Sequence, residues 1–145
     1  MVGRMVDSKK EIRSHKTRNY IIDGDPVAWS RPGKNGFRSY DTQKALKLAR
    51  GIQLQEQYDG EQFKGPLRLE VCFYFSPPPS KRPADRNSLI GRPHVYRPDL
   101  DNLVKFLKDL SVDCGLLKDD CIIHSVIAKK SYDIRARTEF TFIEE

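Results

Sequence analysis

Long apolar runs are missing from this chain. No stretch approaches the roughly 20 residues needed to cross a bilayer. The charged N-terminus also lacks the apolar core of a secretory signal. These absences point to a cytoplasmic protein with no membrane partner. Cysteine is scarce, with three in 145 residues. Cys72, Cys114 and Cys121 form no Cys-x-x-Cys pair and, being odd in number, cannot all pair within the chain, so reduced thiols are expected. Cys114, Cys121 and His124 likewise lack the spacing of a structural zinc site. Acidic residues are outnumbered, 20 against 26 basic ones, which leaves a net charge of +6. That balance suits a polyanionic partner, although many proteins with other partners are as basic.

A chain of this length holds one domain with a real core and is short for two. No internal repeat or low-complexity segment is visible. Residues 1–18 carry Arg4, Lys9, Lys10, Arg13, Lys16 and Arg18 against Asp7 and Glu11. They read as a basic, flexible arm, either a plain leader or a contact for phosphates. Residues 19–145 are expected to form the folded domain. Asn19 to Gly24 reads as a first strand ending in a turn. Trp29 reads as a core residue, with base stacking as the alternative. Gly33-Lys34-Asn35-Gly36 has turn chemistry and could join two short strands, the second being Phe37 to Tyr40. It lacks the spacing of a nucleotide-binding loop.

The pattern predicts a helix from Thr42 to Tyr58, capped by Asp41 or Thr42. Its inner stripe is expected at Ala45, Leu48, Ala49 and Ile52, with Gln55 or Glu56. Lys44, Lys47 and Arg50 would form a basic outer face. Leu67, Leu69, Val71, Phe73 and Phe75 alternate with Arg68, Glu70, Cys72 and Tyr74, the signature of a half-buried strand. Ser76 to Pro98 follows as a long irregular segment. It holds six of the nine prolines and Lys81, Arg82, Arg86, Arg92 and Arg97 against the single acid Asp85. Loops of this length in compact domains are usually functional or mobile. His94 reads as an exposed loop histidine there.

The chain is organised around Arg97-Pro98-Asp99-Leu100-Asp101-Asn102-Leu103-Val104-Lys105 and the later pair Asp119-Asp120. Leu100, Leu103, Val104, Leu107 and Leu110 recur at helical spacing and mark a buried face, widened by Phe106. Asp101, Lys105, Lys108 and Asp109 fall on the other side. Gly115 suits the left-handed cap of that helix. A strand follows from Cys121 through Ala128 towards Tyr132. Arg137 to Ile143 alternates as a last strand, expected to pair in a hairpin with the one before it. Each acidic element alone has an ordinary reading. Aspartates at a helix start are caps, Asp101 and Lys105 make a surface pair, and Asp119-Asp120 is a turn. Taken together, three acids around one point would repel unless a cation sat between them. Mg²⁺, which takes carboxylate and water oxygens, is the natural occupant.

Asp99-x-Asp101-Asn102-Leu103-x-Lys105, followed by Gly115 and Asp119-Asp120, resembles the RusA family of Holliday junction resolvases. The likeness extends from about Tyr20 to Phe142, specific in the central motif and loose on the flanks. It implies a small single α+β domain, a mixed β-sheet with two main helices packed on it. It also implies a homodimer and Mg²⁺-dependent endonuclease action on four-way DNA junctions by paired symmetric nicks, with Mn²⁺ as a substitute metal. Carried over by position, the metal ligands and catalytic acids are Asp99, Asp101 and Asp120, and the basic catalytic residue is Lys105. Asp119 matches a position whose role is open. Arg31 matches an early Arg-Pro pair, and with Lys81, Arg82, Arg86, Arg92 and Arg97 it is expected to touch DNA. The alternatives are a metal-dependent nuclease for flaps or forks and a non-catalytic binder of branched DNA.

Overall fold

The computed structural model describes residues 16–31, 33–35, 38–40, 43–58 and 60–145. Four strands form one mixed sheet: β1 (Lys16–Asp23), β4 (Leu67–Phe75), β5 (Ile123–Tyr132) and β6 (Arg137–Glu144). Their order is β1-β6-β4-β5, with β4 and β5 parallel and the other pairs antiparallel. A small hairpin, β2 (Gly33–Asn35) with β3 (Arg38–Tyr40), stands apart. The helices are α1 (Lys44–Gln57), the short α2 (Pro83–Leu89) and α3 (Leu100–Asp113), and a 3₁₀ turn covers Asp120–Ile122. The architecture is therefore the expected α+β domain, with two long helices.

The registers align the residues into rungs. Ile22, Thr138, Phe73 and Lys130 share one rung; Tyr20, Phe140, Val71 and Ala128 share the next. This face is buried under Leu103, Phe106, Leu107 and Leu110 of α3. Tyr20 stacks on Phe140, and Phe142 meets both edge-on. The alternation read in β4 places Leu67, Leu69, Val71 and Phe73 in the core. After α3, Gly115 takes φ +82°. The N–H of Leu116 reaches back to the carbonyl of Ser111 at 3.0 Å, closing the helix end.

Several expectations are corrected. The first strand begins at Lys16, earlier than Asn19, because Lys16 to Arg18 pair with Glu144 to Phe142. The last strand does not form a hairpin with β5. It inserts between β1 and β4. The link Asp133–Ala136 can cross the end of β4 because the Asp133 N–H donates to Phe75 O at 3.0 Å. Gly33–Asn35 is itself a strand rather than the turn. The long segment 76–98 contains α2 and a bridge from Pro93 to Ser131. The caps expected of Asp41 or Thr42, Gly36 of the expected turn, Phe37 of the expected strand and the arm up to residue 15 lie outside the described residues.

The inner stripe of α1 also differs. Gly51 and Leu54 are buried, while Leu48 is 68% and Ile52 50% exposed. The reason is the partner of this helix. It lies along β1, whose outward N–H and C=O groups have no strand to pair with. Gln57 and Gln53 fill that role. The Ile21 N–H donates to Gln57 Oε1 at 2.9 Å and the Gln57 amide donates to Ile21 O at 2.7 Å. Gln53 makes the same pair with Asp23 at 2.7 and 3.1 Å. An edge strand covered by a helix takes such partners, so the packed face of α1 is partly polar. Lys47 and Arg50, expected outside, are half-buried, and Arg50 donates to Asp25 O at 3.4 Å.

Candidate active site

Asp99 occupies the N-cap position of α3, in extended conformation, yet its side chain makes no capping hydrogen bond. Asp101 Oδ1 accepts only from the adjacent Asn102 N–H, at 3.0 Å. The capping role that a helix-start aspartate ordinarily fills is thus not what occupies Asp99. The later pair divides its labour. Asp119 Oδ1 accepts from the Cys121 N–H at 3.0 Å and caps the 3₁₀ turn. The same hydrogen bond holds the Asp119 carboxyl below its ordinary range. Asp120, the first residue of that turn, is half-buried.

Asp101, Lys105, Lys108 and Asp120 line one open groove of about 860 Å³ between α3 and the edge strand β5. Its floor is apolar: Leu100, Val104, Val126 and Ala128. The helix period explains the polar wall, since residues four apart share a face. Asp109 continues the line. Burial raises its carboxyl pKa, with Asp120 and Asp113 adding to the rise while Lys47 and Lys105 oppose it. Asp109 stands two helical turns, roughly 12 Å, from Asp101. Asp99 and Asp109 are not among the residues that line the groove. Among the described residues, no group of three His, Cys, Asp or Glu side chains converges tightly enough to hold a metal ion. The donor chemistry still fits a hard divalent cation, which needs only one or two protein carboxylates and completes its shell with water and phosphate oxygens.

Lys105 does not pair with Asp101. Its ammonium lies over the Trp29 ring, 3.7 Å from the centroid. Magnitudes explain the choice: an exposed i,i+4 ion pair is worth about 0.3–0.5 kcal/mol, and a cation on an indole face about 0.5–2 kcal/mol. Trp29 is half-buried against the core, so the core reading holds, but its ring has this additional partner.

The approach to Asp99 is anchored from β5. Lys130 donates to the carbonyls of Tyr96 and Pro98 at 2.6 and 2.7 Å, and His94 N–H donates to Lys130 O at 3.1 Å. His94, expected exposed, is buried, with its ring stacked on Phe75 at 4.0 Å. The sequence reading missed it because the Pro93–Ser131 bridge folds this segment onto the sheet. Burial, helped by the Lys130 charge, lowers the His94 pKa. Sequence reasoning also missed Lys130, whose only signal was a lysine at a rung position shared with Phe73 and Ile22. Arg97 leads directly into Asp99 and is exposed, as are Arg31, Lys81, Arg82 and Arg92. Arg86 is half-buried, and Arg82 pairs with Asp85 at 3.3 Å. Only Arg97 is close in the chain to the acids; Lys81, Arg82, Arg86 and Arg92 are dispersed over α2 and its flanking loops, and Arg31 lies between β1 and β2.

An open groove that carries both carboxylates and ammonium groups suits an enzyme that hydrolyses a phosphodiester backbone. The comparison with known families agrees: the model described as endodeoxyribonuclease RusA matches residues 23–142. The chain belongs to the RusA endodeoxyribonuclease family. It is accordingly a DNA-hydrolysing enzyme of a class that acts on Holliday junctions, takes branched DNA as its substrate and typically uses divalent metals. No curated protein matches the chain. Among the described residues no helix is long and apolar enough to cross a membrane.

Proposed function

We propose that this protein resolves four-way DNA junctions by paired symmetric nicks, with Mg²⁺ as its metal and Mn²⁺ as a substitute. The observation that carries the proposal is the shared groove of Asp101, Asp120, Lys105 and Lys108. Asp101 and Asp120, with Asp99 at the helix start, would hold the metal. Bound there, it would supply Lewis-acid polarisation of the phosphate and a more acidic attacking water. The chain's own residues do the rest. Lys105 counters negative charge as it accumulates on the phosphate or the leaving oxygen. Lys130 keeps the backbone leading into Asp99 in place through its two carbonyl contacts. Arg97, Arg31, Lys81, Arg82, Arg86 and Arg92 neutralise flanking phosphates. A symmetric homodimer matches the two equivalent strands of the junction.

The test is cleavage of a labelled mobile junction with Mg²⁺, with Mn²⁺ and with EDTA, beside linear duplex, flap and fork substrates. Asp101→Asn is expected to bind the junction normally and to cut about 10²–10³-fold more slowly. Normal cutting by that variant removes Asp101 from the mechanism. A preference for flaps or forks in direct competition moves the assignment to a general branched-DNA nuclease. A cruciform plasmid reports pairing of the nicks: linear product supports a dimer acting on both strands, and open circles refute it.

A further inference from the structure

We propose that Trp29 is a positioning residue for Lys105, holding its ammonium in the groove and off the carboxylates until DNA arrives. This rests on the catalytic reading of Lys105 above. Three features build the device. The ammonium sits 3.7 Å from the centre of the indole ring. The Trp29 backbone N–H donates to Asn102 O at 2.9 Å, which ties the backbone that carries the ring to α3 one turn before Lys105. Buried Gln43 brackets the residue on both sides, donating to Ala28 O at 2.7 Å and accepting from the Ser30 N–H at 3.1 Å. Gln43 stands at the N-cap of α1 and does not cap it; its side chain is engaged with the Trp29 strap instead.

The arrangement has a chemical consequence. Asp101 lies four residues before Lys105, the spacing at which an ion pair would otherwise form. Such a pair would neutralise a metal ligand and tether the cation in the wrong place. A ring face attracts the ammonium through its quadrupole without donating a proton acceptor or blocking a carboxylate oxygen. The cation stays charged, close and readily surrendered to a phosphate, which offers full negative charge. Trp29 thus keeps the acids and the basic residue of one groove from cancelling each other.

Trp29 is the single tryptophan of the chain, so its emission reports on the contact directly. Lys105→Met is expected to shift the emission maximum or intensity relative to the unchanged protein, because the variant removes a full charge from the ring face. Junction DNA added to the Asp101→Asn protein with Ca²⁺ is expected to move the emission towards that of Lys105→Met, as the ammonium transfers to phosphate. Trp29→Leu is expected to lower the single-turnover cleavage rate about tenfold or more with junction affinity little changed. Trp29→Phe, which keeps a ring face, is expected to recover most of that rate. Its recovery also guards against Trp29→Leu simply failing to fold. Emission unaffected by Lys105→Met overturns the proposal, and so does Trp29→Phe as slow as a folded Trp29→Leu. If Lys105→Met itself cuts normally, the catalytic reading of Lys105 falls, whatever the fluorescence shows.

Discussion

The two long helices lie on the same sheet and pack by opposite chemistry. α3 buries Leu103, Phe106, Leu107 and Leu110 against the apolar rungs. α1 buries Gly51 and Leu54 and presents Gln53 and Gln57 to the backbone of an edge strand, leaving Leu48 and Ile52 in water. Gly51 lets it close on α3, since a Cβ there would stand 3.0 Å from Cys114 Sγ. The difference shows that amphipathicity describes a helix only when its partner is apolar. Where the partner is an unpaired strand edge, hydrogen-bonding side chains become the packed face.

The sharpest way to break this comparison is to truncate the same residue type on both helices. Leu103→Ala, at a fully buried position, is expected to cost about 2–5 kcal/mol in denaturant unfolding. Leu48→Ala is expected to stay within about 0.5 kcal/mol. Equal losses would mean that Leu48 is covered in solution. A smaller effect tests the glutamines. Gln57→Leu makes α1 more apolar on its packed side, yet it is expected to destabilise by about 1–3 kcal/mol, because the Ile21 N–H and C=O lose their partner. A stabilised variant would show that water serves the strand edge equally well.

The smallest expected effect is pH-dependent and concerns the α3 side. The folded pKa of His94 is lowered from 6.5, first by burial and then by Lys130. At pH values between the folded and unfolded pKa, the unfolded chain binds more protons, so stability rises with pH across that window. The contribution is complete above about 6.5 and is lost as pH falls towards the lowered value. His94→Gln is expected to flatten the thermal-melting profile between roughly pH 7.5 and 5.5. An unchanged slope would assign the acid sensitivity to other groups. Because the segment anchored by Lys130 leads into Asp99, the same titration followed by cleavage would show whether loosening it disturbs the groove.

How much of the molecule was legible follows from the same contrast. The strand β4 and the stripe of α3 were readable because period two and period 3.6 coincide with burial against apolar neighbours. Gly115 was readable because a left-handed cap tolerates few other residues. The acids and Lys105 were readable as an ordered set, and the groove contains Asp101, Lys105 and Asp120. The pairing of β6 was not, since an alternating strand looks the same beside β5 or beside β4. The burial of His94 was not, since it depends on a bridge to Ser131 from a segment rich in proline.

By itself, the sequence determined the α+β composition, the apolar stripe of α3 and the family motif, because each rests on local periodicity or on residues close together in the chain. Tertiary structure alone decided the order β1-β6-β4-β5, the polar face of α1, the separation of Asp119 as a cap from Asp120 in the groove, and the seat of Lys105 on Trp29. Each of these is a choice between partners distant in sequence. Such choices are settled by which backbone groups and charges are left unsatisfied once the sheet has formed.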